Sequence, residues 1–169
     1  IWKNIKSEQD QPKNHATSIF IVGLPRSGKT ITESILSCSK SLLQFGENNY
    51  LSKAVDKYLN PKVVSNNQNL YQLYLENIPR EISNKSYICS TTPGNFQYTG
   101  IIASQIEKSK VIYCFRNPLD HIKEMFCSHM GRRFSFKTSI VESAKILLSI
   151  NKLMEDYKSI YDSKIYFLN

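Results

Sequence analysis

The sequence predicts an α/β fold in which a parallel β-sheet is flanked by helices. Three observations support this prediction: short apolar runs typical of buried strands, helical patterns between them, and a glycine-bounded loop after the first run. Strands that alternate with helices favour a parallel sheet, because parallel neighbours need a long crossover connection. We expect a polar lead-in over residues 1–17 and one domain over residues 18–169 that is incomplete at its carboxyl end.

The first predicted strand and the loop behind it are the strongest local signal. Residues 19–22 are four β-favouring residues in a row, typical of a strand that is buried on both faces. Gly23 and Gly28 permit a tight turn that directs successive backbone N–H groups at one point, beside the positive end of the next helix. Residues 23–30 also fit the Walker A pattern G-x-x-x-x-G-K-[ST]. We therefore expect this loop to bind a phosphate-like group.

Helical patterns fill the next part of the chain. One amphipathic helix after the loop is predicted from the apolar residues Ile31, Ile35, Leu36, Leu42 and Leu43. Gly46 ends that helix, and Glu47 follows in a turn on the loop side of the sheet. Further helices are predicted over residues 52–59 and 69–78. The tyrosines of the latter helix are expected in the core and at its rim, where amphipathic rings fit well.

Two strands of the second half place candidate residues beside the loop. Residues 86–90 predict a strand that runs into a turn rich in Pro, Gly and Asn, with a helix over residues 97–105 behind it. The apolar run 110–115 predicts a strand whose carboxyl end carries Arg116. Because open α/β sheets bind ligands at the carboxyl ends of their strands, we expect Arg116 to bind an anion beside the first loop.

The remaining elements are two helices and a strand. Pro118 can begin a helix that has Asp120 in its first turn. A longer helix is predicted over residues 139–157, and a final strand over residues 164–168. The apolar stripe of the longer helix is Ile140, Ala144, Leu147, Leu148, Leu153 and Met154.

The composition leaves several classes of partner open. A formal net charge of +8 suits a nucleic acid, a membrane surface or an anionic small ligand, but the lysines are scattered, as is typical of solvated surface charge. No run reaches the ~18 apolar residues of a membrane span. The four cysteines include no C-x-x-C pair, which indicates neither a zinc ribbon nor a disulfide framework and favours reduced thiols in the cytoplasm.

Three blocks of the chain, in the same order, resemble sulfotransferases that use 3′-phosphoadenosine 5′-phosphosulfate (PAPS). The group includes tyrosylprotein sulfotransferases and bacterial proteins with tetratricopeptide repeats. The blocks are Pro25-Arg26-Ser27-Gly28-x-Thr30 within residues 19–33, Gly46-Glu47-x-x-Tyr50-Leu51, and the pair Thr92-Pro93-Gly94-Asn95-Phe96 and Arg116-Asn117-Pro118-Leu119-Asp120. This resemblance implies a fold like that of the P-loop nucleoside triphosphate hydrolases, and sulfuryl transfer to a hydroxyl or amine of a small molecule, sugar or peptide.

The resemblance also implies roles for individual residues. The backbone amides of residues 27–30, which are Ser27, Gly28, Lys29 and Thr30, would hold the 5′-phosphosulfate, and Thr30 would add its hydroxyl. Arg26 would stabilise charge on the leaving oxygen, with Lys29 beside it, and Arg116 would bind the 3′-phosphate. Glu47 stands where the family has the carboxylate that removes the acceptor's proton.

Three positions depart from the family pattern. Lys29 replaces a threonine of the loop, and Thr91 stands where a lysine commonly precedes the Thr-Pro pair. One lysine is thus lost from the sulfate pocket and another gained, which suggests that the two changes compensate. Glu124 takes the place of a serine at the 3′-phosphate site, where its carboxylate would repel the ligand unless it turns away or Ser128 substitutes for it.

Two other functions remain open at this point. A P-loop kinase or NTPase would use Lys29 and Thr30 to bind ATP and Mg²⁺, but it needs a strand that ends in Asp to hold the metal. The obvious candidate strand ends in Arg116, a cation that repels a metal and attracts a phosphate. A non-catalytic anion-binding relic is the third possibility, and it is favoured by the three departures.

Two groups of residues in or after the helix predicted to begin at Pro118 suggest other kinds of site, one for a metal and one for a nucleic acid. Cys127, His129 and His121 fit no common zinc spacing, so we expect no bound metal. Arg132 and Arg133 lie among phenylalanines, a mixture that suits either nucleic acid or the wall of an acceptor cleft. We expect no nucleic-acid partner, while the oligomeric state stays open.

Overall fold

The computed structural model describes residues 16–60, 69–79, 85–128 and 139–169. Five parallel strands form one sheet in the order β2-β3-β1-β4-β5. The strands are β1 (Thr17–Val22), β2 (Leu42–Gln44), β3 (Tyr87–Ser90), β4 (Ser109–Cys114) and β5 (Ile165–Leu168). The chain runs from the central β1 to β2 and β3 on one side, and then crosses to β4 and β5 on the other. The carboxyl end of β1 is therefore the switch point of the sheet, where such folds bind ligands.

In the described residues, six α-helices and one 3₁₀-helix lie between these strands. They are α1 (Lys29–Ser37), α2 (Tyr50–Tyr58), α3 (Leu70–Glu76), the 3₁₀-helix (Pro93–Tyr98), α4 (Thr99–Gln105), α5 (Pro118–Cys127) and α6 (Ile140–Ile160). The fold is thus a parallel sheet flanked by helices, as the sequence predicts. No helix in the described ranges is long and apolar enough to cross a membrane.

The two faces of the sheet have cores of different size. Alternate residues of β1, such as Phe20 and Val22, belong to the larger core, which also contains buried side chains of α2, α3, α4, α5 and α6. Ile21, between them, belongs to a smaller core with Leu42, Cys89 and Cys114, against which Leu36 of α1 packs. This alternation follows from the two-residue period of a strand.

The predicted boundaries are wrong in two places. The helix predicted to include Leu42 and Leu43 ends at Ser37, and these leucines lie in β2, paired with β3. A 3₁₀-helix begins at Pro93, ahead of the helix predicted from residue 97, because the Pro-Gly-Asn segment still permits a tight helical turn. The other predicted strands and helices in the described ranges are present, with ends shifted by a few residues.

The predicted apolar faces of two helices also need correction. Ile31 and Ile35 of α1 are 68% and 67% exposed, whereas Lys29 and Glu33 are its buried residues. In α6, Ile140 and Leu148 are exposed. The buried stripe of α6 is Ser143, Leu147, Ile150 and Met154. A polar side of α1 faces inward because it meets the loop and the strand ends described below.

Other predictions about packing are confirmed or lie outside the description. Tyr71 and Tyr74 of α3 are buried in the larger core, as expected for core and rim tyrosines. Residues 1–15, which form most of the predicted lead-in, lie outside the described residues. The same holds for His129, Arg132 and Arg133.

Candidate anion-binding and transfer site

The loop between β1 and α1 has the backbone of an anion-binding turn. Gly23 and Gly28 adopt positive φ angles of 145° and 98°, and Arg26 does so at 67°. A Cβ on Gly23 would lie 2.4 Å from the carbonyl oxygen of Cys114, so no other residue fits there. Gly28 caps α1 without a side-chain hydrogen bond, and the first turn contains no acidic residue. The first N–H groups of α1 are thus left for an anion.

Lys29 lies beneath the loop rather than at its outer edge. Its side chain is buried, and Nζ donates a hydrogen bond of 2.8 Å to the carbonyl oxygen of Leu24. Burial lowers the pKa of Lys29 to about 8, although the nearby Cys114 and Glu47 favour its charged form. The lysine therefore supports the loop from inside while it also lines the cleft beside it.

His121 of α5 also supports the loop. The ring is buried, and its Nε2 lies 2.8 Å from the carbonyl oxygen of Pro25. Burial lowers the pKa of His121, and the charges of Arg116 and Lys29 lower it further. The hydrogen bond to Pro25 acts in the opposite direction. A neutral ring that donates from Nε2 suits this carbonyl. His121 thus holds the peptide that precedes Arg26.

All of the site residues predicted from the sequence line a single cleft of about 430 Å³. The predicted set comprises Arg26, Ser27, Gly28, Lys29, Thr30, Glu47, Arg116 and Glu124. The structure adds Ile31, Phe115 and Asn169 to the lining. Arg116 follows β4 directly, and β4 pairs with β1, so the loop and this arginine share one edge of the sheet. The roles of these residues stay predictions.

Glu124 faces an arginine across the cleft. Its Oε2 lies 3.6 Å from a guanidinium nitrogen of Arg26, and both side chains are about half exposed. A pair with this exposure contributes little to stability, about 0–1 kcal/mol. Ser128 donates its hydroxyl to the backbone oxygen of Glu124, so that hydroxyl is engaged within α5. Glu124 therefore forms its ion pair with Arg26 of the loop.

Glu33 connects three elements behind the cleft. The side chain is buried in α1, and its Oε1 accepts a hydrogen bond of 3.0 Å from the backbone N–H of Gly46. Its Oε2 accepts one of 3.2 Å from the hydroxyl of Thr91, just after β3. Thr91 N–H in turn donates to the carbonyl oxygen of Gly46. The turn that carries Glu47 is thus fixed to both α1 and β3.

A second network holds the other side of that turn. The hydroxyl of Thr92 donates to the carbonyl oxygen of Asn48 at 2.6 Å, and it accepts from the Asn48 N–H at 2.9 Å. The side-chain amide of Asn48 donates to the Ser90 hydroxyl at 3.0 Å. Glu47, between these fixed neighbours, has an exposed side chain that points to solvent-accessible space. Its backbone is held while its carboxylate stays accessible.

A family comparison decides which of the known P-loop proteins this chain resembles. Residues 18–169 match the family model described as "Sulfotransferase family". The chain belongs to the sulfotransferase family. The family match covers the loop, the Glu47 turn and Arg116 together.

Two individual proteins resemble this sulfotransferase-family chain. An uncharacterised protein of Aquifex aeolicus (strain VF5) is 29% identical over 161 residues, which cover 85% of this chain and 21% of that protein. The chain thus spans about a fifth of the length of this curated relative. The sulfotransferase domain of the Synechococcus PCC 7002 olefin synthase has a similar fold, with a TM-score of 0.61 and 16% identity. That match covers 97% of this chain and 70% of the other.

Sequence analysis of this sulfotransferase-family chain missed two buried residues of the site. The sequence alone gives Glu33 no role, and it suggests His121 only as part of the rejected metal cluster with Cys127 and His129. Their supporting roles leave no local signal, because the partners of both residues, two backbone groups and the Thr91 hydroxyl, lie elsewhere in the sequence. Among the described residues, no group of three or more His, Cys, Asp or Glu side chains could hold a metal ion.

Proposed function

We propose that this chain transfers a sulfuryl group from PAPS to a hydroxyl or amine of an acceptor. The observation that carries the proposal is the single cleft in which the anion-binding loop, Arg26, Lys29, Arg116 and a carboxylate, Glu47, meet. Three cations suit a donor with anionic groups at both ends. Family membership supports the same chemistry, and the comparisons give no support to an ATP-dependent kinase.

The residues of the cleft divide the work of the reaction. The N–H groups at the start of α1 would bind the 5′-phosphosulfate, and Arg116 the 3′-phosphate. Glu47 would accept the proton of the acceptor as its oxygen or nitrogen forms a bond to sulfur. The bond between sulfur and the bridging phosphate oxygen breaks, and Arg26 and Lys29 stabilise the charge that develops on that oxygen. The products are a sulfated acceptor and 3′-phosphoadenosine 5′-phosphate (PAP).

Glu124 competes with the donor for Arg26 in this proposal. The two side chains are paired at 3.6 Å, and Arg26 must leave Glu124 to reach an anion. The cost is small because the pair is half exposed and screened by solvent. Glu124 therefore weakens donor binding without abolishing it.

The free thiols fit the cytoplasmic location that we include in this proposal. Cys38 and Cys127 are exposed, Cys89 and Cys114 are buried, and none of the four forms a disulfide. Reduced cysteines are typical of the cytoplasm. Cell fractionation tests this part of the proposal.

Thermal-shift measurements with three ligands test the donor assignment. PAPS and PAP are expected to raise the melting temperature without any metal, because the cleft offers cations rather than a metal site. Mg-ATP alone would do so for a kinase, and a relic would respond to none of the three. Transfer of ³⁵S from labelled PAPS to a mixed set of sugar, peptide and phenol acceptors then tests the reaction itself.

A further inference from the structure

A second cleft adjoins the first and shares Glu47 with it. It has a volume of about 760 Å³. One wall is formed by the Glu47 turn and the start of α2, and the other by the 3₁₀-helix. Glu47 is the residue that lines both clefts. A carboxylate in that position can reach a group bound in either cleft, as the base of a transfer reaction must.

The lining of the second cleft is polar but almost without charge. Side-chain amides come from Asn49, Asn95 and Gln97, and hydroxyls from Ser52, Thr92 and Tyr98. Glu47 is the only charged residue among the described residues that line it. Amides donate and accept hydrogen bonds at neighbouring atoms, so they match ligands with adjacent hydroxyl groups.

Asn95 is the strongest pointer to a ligand. The residue is 3% exposed, and its backbone N–H donates to the carbonyl oxygen of Thr92. The residue lines the second cleft, so a ligand bound there can reach its side-chain amide. An amide held by a buried residue at the wall of a cleft is fixed in place, and it can both donate to and accept from the hydroxyl groups of a ligand.

The charges around the cleft discriminate between acceptors. The carboxylate of Glu47 repels an acidic peptide, and no lysine or arginine in the described lining offsets it. Tyr98 and Pro93 add apolar surface of the kind that packs against the C–H face of a sugar ring. An aryl alcohol would leave most of the amides unpaired, which is costly in a polar site.

We propose that this second cleft is the acceptor site and that it takes an uncharged polyhydroxylated ligand, a neutral sugar. This inference rests on the proposed function, since it makes Glu47 the base for a sugar hydroxyl. The hydroxyl oxygen forms the bond to sulfur, its proton passes to Glu47, and PAP leaves. Asn95 and Gln97 bind neighbouring hydroxyls of the sugar and so orient the one that reacts.

Ligand-observed NMR in the presence of PAP tests the proposal. The probes are maltose, cellobiose and N,N′-diacetylchitobiose, compared with an acidic tyrosine peptide and 2-naphthol. We expect saturation transfer to at least one disaccharide and none to the peptide. Asn95→Leu should weaken disaccharide binding about tenfold, and the exposed Gln97→Leu about threefold, while both variants bind PAP as the unchanged protein does. Gln44→Leu, an amide change outside both clefts, is the matched control and should change neither.

Two results would overturn the inference. One is the absence of a signal from every disaccharide, with or without PAP binding. The other is disaccharide binding that is equal in the unchanged protein and in both Asn95→Leu and Gln97→Leu. If disaccharides bind in an Asn95-dependent way but PAP does not bind, the sugar site stands and the PAPS assignment fails, so the two proposals are separable.

Discussion

The charged or titratable residues at the first cleft and behind it form two layers that differ in burial. Lys29, Glu33 and His121 form an inner layer, 6%, 7% and 1% exposed, and each of them contacts a backbone group of the loop or the Glu47 turn. Arg26 and Glu47 form an outer layer, and their side chains are exposed. The inner layer shapes the backbone, and the outer layer is accessible to ligands.

This difference explains why α1 turns polar residues inward. A buried Lys or Glu costs free energy unless it is paired with hydrogen-bonding groups. Here the carbonyl oxygen of Leu24 accepts a hydrogen bond from Lys29. The Gly46 N–H and the Thr91 hydroxyl donate hydrogen bonds to Glu33. The structure thus uses buried polar groups of one helix to position two separate loops. The following predictions test that division, from the largest expected effect to the smallest.

Replacing Gly23 with Ala should distort the loop between β1 and α1, whose backbone conformation both layers depend on. The new Cβ would lie 2.4 Å from the Cys114 carbonyl oxygen at a φ of 145°. We expect a loss of at least about 3 kcal/mol of unfolding free energy from the clash and the strained backbone, and no PAP binding. Urea unfolding and calorimetric titration with PAP measure both. Gly94→Ala, where a Cβ finds its nearest neighbour at 3.7 Å, is the control.

The buried Lys29 should make stability and donor binding depend on pH. The folded pKa is about 8 and the ordinary value 10.5, so between them the unfolded chain binds more protons and stability rises with pH. The gain across this window is on the order of 3 kcal/mol. PAP binding should weaken as pH rises through about 8, because the lysine loses its charge.

The variant Lys29→Thr separates these effects. It should remove the pH-dependent rise in stability in urea unfolding, and it should weaken PAPS binding about tenfold at pH 7 in calorimetric titration. If its affinity for PAPS is unchanged, Lys29 does not compensate for the lysine that is absent at Thr91. A rise in stability that persists in the variant would assign the titration to another group.

Replacing Glu33 with Gln should loosen the turn that carries Glu47 without changing the binding of PAPS. Two charge-assisted hydrogen bonds become neutral ones, and the new NH2 group can bond the Thr91 hydroxyl only if that hydroxyl turns to accept. We therefore expect a loss of about 1–3 kcal/mol of unfolding free energy. The turnover rate with labelled PAPS should fall about tenfold, with the KM for PAPS unchanged. Thr91→Val removes the other partner of Glu33 and should give a smaller effect in the same direction. An equal fall in turnover and PAPS affinity would contradict the positioning role.

Glu124→Ser should have the smallest effect of these variants, and unlike the others it should strengthen PAPS binding. It releases Arg26 and removes a carboxylate from the cleft, so we expect PAPS to bind two- to fivefold more tightly, in line with an exposed pair. Unfolding free energy should change by less than about 0.5 kcal/mol. Calorimetric titration at low and high salt measures the effect, which should shrink as salt increases. Weaker binding would refute the placement of Glu124 near the donor.

Local patterns were sufficient for the sheet, the loop and Arg116. The β1 run, the glycine loop and Arg116 at the end of β4 are contiguous stretches, so strand propensity and loop chemistry identify them directly. The end of α1 and its exposed face were predicted wrongly, because Leu42 and Leu43 fit a helical stripe equally well. Pairing with β3, remote in the sequence, is what makes them a strand.

The sequence by itself determined the parallel α/β architecture and the anion-binding loop, since each depends on neighbouring residues. The resemblance to sulfotransferases supplied Glu47 and Glu124, which lie far from the loop in the sequence. The tertiary structure alone decided that Glu33 and His121 support the site, that Glu124 faces Arg26, and that Glu47 lies between two clefts. These contacts join residues far apart in the chain, and only the packing of α1 and α5 against the strand ends brings them within hydrogen-bond distance.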